Sequence, residues 1–274
     1  MSRIPNIKLY GYATSPFVRK TACFLYYKQL PFEHVPVNPI EPEKTIGFTG
    51  GNQVPVLEID GEWRIESSDH AHWLDEIFPD YPLCPAEYRS EILAIDEWLT
   101  NTFLLALFRP AIDGKLTLSA RTRYWRLASL VSSQTPLPAH IQHRWPDLVR
   151  GAPFVQAMGK RIDLTESYSA MTRRIGLELV RHIGNGPFIG GIPHPTMLDL
   201  AVFPQLIFGV MAGLQNRLEA AQHPVLKRWI GAMAKHLPNN PILINDNMIV
   251  KSLEEAMSEI RIPFWKFLLL HTIR

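Results

Sequence analysis

The sequence has little cysteine and almost no net charge, and both shortages exclude classes of protein. Two cysteines in 274 residues, Cys23 and Cys84, are too few for the disulfide framework of a secreted domain. Basic residues number 28 against 26 acidic ones, a balance that disfavours nucleic-acid phosphates as the main partner. The opening residues lack a signal-peptide pattern, and no apolar run approaches the roughly 18 residues that span a bilayer. We therefore expect a cytoplasmic protein.

The chain does contain enough apolar material for a substantial core. Hydrophobic residues make up 46% of the sequence and charged residues 20%, which is typical of folded globular proteins and unlike disordered ones. The length fits one large domain or two of ordinary size.

The first eighty residues alternate strand and helix patterns. A strand, a helix and a second strand within so short a span imply a parallel crossover. Further along, Asp60-Gly61 between two apolar runs is the strongest short signal for an antiparallel hairpin. The predicted order is strand 7–12, helix 16–28, strand 32–37, a short helix within 38–52, strand 54–59, strand 62–65 and helix 67–78.

Beyond residue 80 the strand patterns stop. Three prolines within residues 79–85 predict a linker between two domains, residues 1–80 and residues 86–274. The second domain is predicted to be all-helical. Its recognisable helices cover residues 88–108, 154–182, 196–214 and 223–236.

Two helix starts in the first domain carry groups that can contact an anion. Ser15 precedes Pro16, and because proline is favoured at the first helical position, Ser15 is expected to cap that helix with its hydroxyl. A hydroxyl there can donate to a bound anion, which the helix dipole also favours. Glu66 and Ser67 stand at the start of the helix that follows the hairpin, a place suited to a carboxylate. Taken alone, either site is equally explained by a structural helix cap.

Four short motifs change this balance when they are considered together. They are Ser15-Pro16-Phe17, Gln53-Val54-Pro55-Val56-Leu57, Glu66-Ser67 and Pro195-Thr196-Met197-Leu198-Asp199. In the last of them, Thr196 and Asp199 also have the spacing of a capping box, in which the carboxylate reaches back to the cap amide. In order and spacing the sequence closely resembles the soluble glutathione transferases, with the serine-type, tau-like enzymes as the nearest analogue and omega-like relatives also similar. The resemblance implies an α/β thioredoxin-like N-terminal domain, an all-α C-terminal domain and a homodimer.

The resemblance also implies roles for individual residues. Ser15 matches the catalytic residue that contacts the glutathione sulfur. Val54, just before the family's cis-proline at Pro55, would bind the cysteinyl part of glutathione through its backbone. Glu66 and Ser67 match the pair that holds the γ-glutamyl amine and carboxylate.

Five further residues are candidates for substrate binding. Lys44 matches a basic residue that contacts the glycyl carboxylate, and Gln53 stands where tau-like enzymes often place lysine. Trp98, Phe103 and Phe108 are candidate walls of a hydrophobic acceptor site, although such residues more often belong to the core. The expected reaction joins the glutathione thiolate to an electrophilic small molecule, as in detoxification, with glutathione as co-substrate and no metal.

Cysteine and histidine residues suggest disulfide chemistry or metal binding, but the sequence favours neither. Serine at position 15 argues against the disulfide chemistry of omega-like relatives, and Cys23, two turns into its helix, is expected to be core. His70 and His72 invite a metal interpretation, but residues i and i+2 of a helix point to different sides.

Three alternatives stay open. Residues 115–150 carry an excess of basic residues, which predicts either a solvated or dimer-facing surface or a cationic rim that attracts anionic acceptors. The apolar residues 262–270 predict an amphipathic element packed on the protein or, in a peripheral relative, a membrane contact. A glutathione- or ligand-binding protein without turnover is the third alternative.

Overall fold

A mixed sheet forms the N-terminal part of the computed structural model, which describes residues 4–113 and 117–258. Its elements are β1 (Ile7–Gly11), α1 (Pro16–Tyr27), β2 (Glu33–Pro36), α2 (Glu43–Ile46), β3 (Val56–Ile59), β4 (Glu62–Arg64) and α3 (Ser67–Ile77). In the described residues the strand order is β2-β1-β3-β4, with β1 and β2 parallel and the other neighbours antiparallel. Every predicted strand and helix of this region is confirmed.

Two local features explain why this sheet forms as the sequence predicts. The hairpin residues Asp60 and Gly61 have φ angles of 51° and 94°, the positive values that a tight two-residue turn requires. Gly11 ends β1 directly beneath α1, and a Cβ atom there would overlap the side chain of Val18. Glycine therefore allows the strand and the helix to pack closely.

The rest of the described chain is helical. Its α-helices are α4 (Arg89–Trp98), α5 (Leu104–Ala106), α6 (Arg109–Ile112), α7 (Leu118–Ser132), α8 (Ala139–Gly151), α9 (Pro153–Gly159), α10 (Tyr168–Ile183), α11 (Met197–Met211), α12 (Pro224–Met233) and α13 (Leu253–Met257). A π-helical turn, Leu99–Phe103, joins α4 to α5. Short 3₁₀ turns cover Gly47–Thr49, Ala86–Tyr88, Ile189–Gly191, Glu219–Gln222, Ala234–His236 and Asp246–Met248. None of the helices in the described ranges is long and apolar enough to cross a membrane.

Helix α11 is buried on nearly all sides and packs against α1, which joins the two regions. The predicted capping box at its start is confirmed, with the Asp199 carboxylate accepting a 3.0 Å bond from the amide of Thr196. The same carboxylate accepts a 2.7 Å bond from the Trp229 indole. Complete burial raises the pKa of Asp199 to about 6 in spite of these donors.

The prediction of one long helix over residues 154–182 is wrong, because the segment between α9 and α10 is held in a turn. The buried guanidinium of Arg109 donates to the backbone carbonyls of Asp163 at 2.7 Å and Glu166 at 2.8 Å. Ser167 then caps α10 by accepting a bond from a backbone amide. A long-range contact therefore interrupts a pattern that looks continuous in the sequence. The predicted helix 88–108 is similarly divided by the π-helical turn.

The described part of the basic segment 115–150 contributes α7 and α8, which pack with α6 and α9 around a small apolar core. Arg126 is buried and donates to the carbonyls of Ala212 at 2.9 Å and Met248 at 2.7 Å. For this residue, the interpretations of the segment as a solvated surface and as a cationic rim are therefore both wrong. This cation ties α7 to the end of α11. Lys115 lies outside the described residues, and so does the tail 262–270.

The proline-rich segment 79–85 is an irregular connection that is bonded to the first region. The buried Lys28 ammonium lies 2.8 Å from the Asp75 carboxylate and donates to the carbonyl of Asp80 at 2.9 Å. Asp75 in turn accepts bonds from the backbone amide of Leu83. The predicted linker is therefore fixed in place by hydrogen bonds.

Candidate functional site

Three chain segments meet at one edge of the sheet. Because β1 and β3 are antiparallel with Tyr10 opposite Val56, the chain leaving β1 lies beside the chain entering β3. Strand β4 pairs Arg64 with Leu57, so the chain leaving β4 returns to the same edge. We call this place the site edge and define it as residues 12–15, 53–55 and 65–68.

Ser15 lies at the site edge in the cap position of α1 and is only 5% exposed. The expectation that its hydroxyl caps the helix is wrong, because this hydroxyl accepts no bond from the described amides of α1. Its own backbone amide donates to the carbonyl of Tyr12 at 2.9 Å. Within the described residues, the hydroxyl oxygen is therefore not used to cap the helix.

The second and third segments bring four more candidate residues to the site edge. A cis peptide bond joins Val54 to the buried Pro55 just before β3. Glu66 occupies the cap position of α3 without a side-chain cap bond, and Ser67, half-buried, is the first residue of the helix. The Gln53 amide donates to the Glu66 carboxylate at 3.0 Å, which links the second segment to the third.

A buried lysine fixes the start of α3 relative to α1 and α4. The Lys20 ammonium, 1% exposed, lies 3.0 Å from the Ser68 hydroxyl and 3.6 Å from the Asp96 carboxylate. Ser68 donates to the same carboxylate at 3.3 Å. Burial lowers the pKa of Lys20, and the charge of Asp96 opposes this change. The three side chains join both regions next to Glu66 and Ser67.

A second buried cation lies under the loop that carries Ser15. The Arg19 guanidinium donates to the carbonyl of Ala13 at 2.8 Å and to the Gln205 side-chain oxygen at 2.6 Å. The Gln205 amide donates in turn to the carbonyl of Pro16 at 2.9 Å. Desolvation lowers the pKa of Arg19 to about 9, so the group stays charged at neutral pH.

The predicted wall residue Phe108 is linked to the start of α1 by Phe154, a residue that the sequence analysis did not select. The ring of Phe154, at the start of α9, lies 6.1 Å from Phe17 and 5.3 Å from Phe108. Phe154 is 48% exposed. The three rings form an aromatic row beside the first turn of α1, which is suited to an apolar ligand.

Three other predicted residues are not brought to the site edge. Lys44 is exposed on α2 and pairs with Glu41 at 2.6 Å. Trp98 donates its indole proton to Glu178 at 2.8 Å and lines a groove whose walls all come from the helical region. Phe103 is buried in the core.

The cysteine and histidine that the sequence singled out lie inside the fold. Cys23 is completely buried, as expected, and burial raises the pKa of its thiol. One ring nitrogen of His70 lies 2.9 Å from the carbonyl of Arg64, and the other lies 3.1 Å from the Thr21 hydroxyl. Burial lowers the pKa of His70 to about 4. No group of three or more possible metal ligands occurs within residues 4–113 and 117–258.

Residues 9–82 match the family model described as glutathione S-transferase, N-terminal domain. A glutathione S-transferase from Rhodospirillum rubrum F11 has the same fold, with 19% identity, a TM-score of 0.58, and coverage of 91% of this chain and 98% of that one. Residues 9–82 therefore match a glutathione S-transferase N-terminal domain, and the chain has the fold of a solved glutathione S-transferase. The expected thioredoxin-like domain followed by a helical region is confirmed, whereas the domain boundaries and the roles of the site residues stay predictions.

Two other kinds of protein are also similar to this chain. Glutaredoxin 2 from Salmonella typhimurium, solved in complex with glutathione, is 20% identical with a TM-score of 0.52 and covers 89% of this chain and 99% of its own. Prostaglandin E synthase 2 from Danio rerio is 22% identical over 84% of this chain and 71% of its own. The Mus musculus protein of the same name is 25% identical over 88% of this chain and 73% of its own.

Proposed function

We propose that the chain is a glutathione transferase that joins the glutathione thiolate to an electrophilic, hydrophobic small molecule, as in detoxification. The observation that carries the proposal is the meeting of Ser15, the Val54-Pro55 peptide and the Glu66-Ser67 pair at the site edge. The glutathione bound to Salmonella typhimurium glutaredoxin 2, a protein of the same fold, supports it. The proposal includes a cytoplasmic homodimer.

Glutathione offers charges that match the groups at the site edge. Its γ-glutamyl ammonium suits the Glu66 carboxylate, and its γ-glutamyl carboxylate suits the Ser67 hydroxyl and the amides at the start of α3. Its cysteinyl backbone would pair with the backbone of Val54. The thiol would then reach the Ser15 hydroxyl at the start of α1.

The Ser15 hydroxyl would activate the thiol by donating a hydrogen bond to the charged sulfur. A free thiol has a pKa of about 8.5, so only about 3% is ionised at pH 7. One bond to the charged form, worth about 1.5–3 kcal/mol, corresponds to a pKa lower by roughly one to two units. The thiolate then attacks an electrophilic carbon. A carbon–sulfur bond forms, and the displaced electron pair leaves with the leaving group or takes a proton from water.

The acceptor would lie against the aromatic row of Phe17, Phe154 and Phe108. These rings come from both regions, so a ligand on them is close to the thiol while apolar carbon covers one side of it. Because the rings exclude water from the acceptor site, the thiolate is less solvated there and attacks the acceptor more readily.

Glutathione binding measured by calorimetry tests the proposed site. Glu66→Ala and Ser67→Ala each remove one charge-assisted interaction worth about 1.5–3 kcal/mol, so each should weaken affinity about tenfold or more. Glu76→Ala and Ser119→Ala, exposed residues on α3 and α7, are the matched controls and should leave affinity unchanged. Unchanged affinity in both site variants would refute the site.

A panel of electrophiles then tests turnover. Conjugation that requires glutathione is expected for at least one apolar acceptor. Glutathione binding without any conjugation would instead indicate a ligand-binding protein, the alternative that the sequence left open. Light scattering tests the dimer, and cell fractionation tests the location.

Prostaglandin E synthesis is a second candidate reaction. Two relatives named prostaglandin E synthase 2 match more than four fifths of the chain. Formation of prostaglandin E by the purified protein, in an assay run beside the electrophile panel, would favour this candidate over conjugation.

A further inference from the structure

The charge of Arg19 is not balanced by a carboxylate. Lys20 and Lys28, also buried on α1 and at its end, have Asp96 and Asp75 as counter-ions. Arg19 bonds only to a carbonyl and an amide oxygen, and no carboxylate in the described part of the chain pairs with it. Its Nε atom is buried without an acceptor there. A full positive charge is therefore held inside the protein without compensation.

This charge lies beneath Ser15 and is shielded from water. The guanidinium bonds directly to the carbonyl of Ala13 and, through Gln205, to that of Pro16, so its bonds lie on both sides of Ser15 in the chain. The Phe208 ring covers it at 3.7 Å. Because the surroundings are apolar, the field of the cation is weakly screened.

The ionisable groups packed around Arg19 do not neutralise it. Burial raises the pKa values of Cys23 on α1 and Tyr12 before it, so both are neutral at pH 7. On α11, Gln205 and Phe208 carry no charge. Asp199, which its pKa of about 6 leaves mostly ionised at pH 7, lies at the start of that helix and accepts from the Trp229 indole and the Thr196 amide, not from Arg19. Lys20 is matched by Asp96.

We propose that Arg19 is a positioning residue that holds the loop of Ser15 and whose uncompensated charge favours the ionised form of a thiol beside Ser15. For glutathione the proposal rests on the function proposed above. A nearby opposite charge favours the ionised form of an acid, and the weakly screened charge of Arg19 would act in this way on a thiol held by the loop. Gln205 contributes by orienting the guanidinium without cancelling its charge.

A thiol placed in the protein itself tests this without glutathione. In Ser15→Cys, the pH dependence of alkylation by iodoacetamide gives the pKa of the introduced thiol, after subtraction of the rate in the same protein with serine at position 15. The measurement is repeated with Gln205→Met and with Gln205→Glu. Both substitutions remove the bond to Pro16, but only the glutamate neutralises Arg19 at 2.6 Å. Their difference therefore isolates the charge from the loss of positioning.

The thiol pKa should be about one unit higher with Gln205→Glu than with Gln205→Met, which is a tenfold lower ionised fraction at neutral pH. Equal pKa values in the two variants would overturn the proposal. If either variant does not fold, Arg19→Lys and Arg19→Met in the Ser15→Cys protein decide in the same way. The lysine should keep the thiol pKa about one unit below that of the methionine variant, and equality would again overturn it.

Calorimetry with glutathione on the unaltered protein separates this proposal from the proposed function. If glutathione does not bind, the proposed function is refuted, whereas the alkylation result still decides the role of Arg19. If glutathione binds, Gln205→Glu should raise the pKa of its bound thiol, read from the ultraviolet absorbance of the thiolate, by the same unit.

Discussion

Replacing Lys28 by methionine tests how strongly the first region is tied to the connection that follows it. Methionine keeps most of the apolar stem and removes the ammonium. The loss affects the Asp75 carboxylate at 2.8 Å and the carbonyls of Phe78 and Asp80 at 2.7 and 2.9 Å. Asp75 would keep its bonds to backbone amides of the connection but would have no counter-ion.

The expected cost follows from this geometry. Removing one partner of a buried ion pair costs about 3–5 kcal/mol. The Asp75 side chain is 19% exposed, so water recovers part of its solvation, and we expect a loss of about 3 kcal/mol. At about 2–4 °C per kcal/mol for a chain near this size, the melting temperature should fall by roughly 6–12 °C.

Urea denaturation of Lys28→Met beside Lys44→Met makes the comparison decisive. The Lys44–Glu41 pair is even shorter, at 2.6 Å, but its side chains are 67% and 44% exposed. Exposed pairs contribute about 0–1 kcal/mol, so Lys44→Met should cost less than 1 kcal/mol. Equal, small losses in both variants would show that burial of the Lys28 ammonium does not stabilise the fold.

Three further predictions concern activity and pH. Ser15→Ala should lower conjugation at neutral pH by roughly tenfold, with a defect that shrinks toward pH 9, and superimposable pH–rate profiles would contradict thiol activation. Between pH 6.5 and about 4, His70 takes up a proton in the unfolded chain but not in the folded one, so the free energy of unfolding should fall by about 3 kcal/mol as the pH drops. Urea titrations of His70→Gln should lose this pH dependence. Asp199 contributes in the opposite direction, but equally in both proteins, so its effect cancels in the comparison. Phe154→Ala should raise the KM for an apolar acceptor several-fold and leave glutathione affinity unchanged, measured by steady-state kinetics and calorimetry; equal KM values would exclude Phe154 from the acceptor site.

Local chemistry made the N-terminal fold predictable. The Asp60-Gly61 turn, the proline after Ser15 and the apolar periodicity of α1 each act over a few residues, so the sequence alone was enough to place β1 to β4 and their helices. The capping box of Thr196 and Asp199 is similarly local and was found for that reason.

The parts that were missed depend on contacts between distant residues. The turn between α9 and α10 is held by Arg109, more than fifty residues earlier in the chain, and no local pattern reports such a contact. Phe154 reaches Phe17 in the same way. A signal did exist for Gln205, which is the one amide side chain within the apolar helix α11 and points to a buried polar partner.

The packing of α1 against the helical region limits which helical regions can be joined to the first region of this chain. Two of the buried cations of α1, Arg19 and Lys20, find their acceptors at Gln205 and Asp96, in the other region. A chimera that joins residues 1–80 to the helical part of a relative would keep every strand and yet bury two charges without these acceptors. Exchanging modules between such proteins therefore requires positions 96 and 205 to be transferred together with the N-terminal domain.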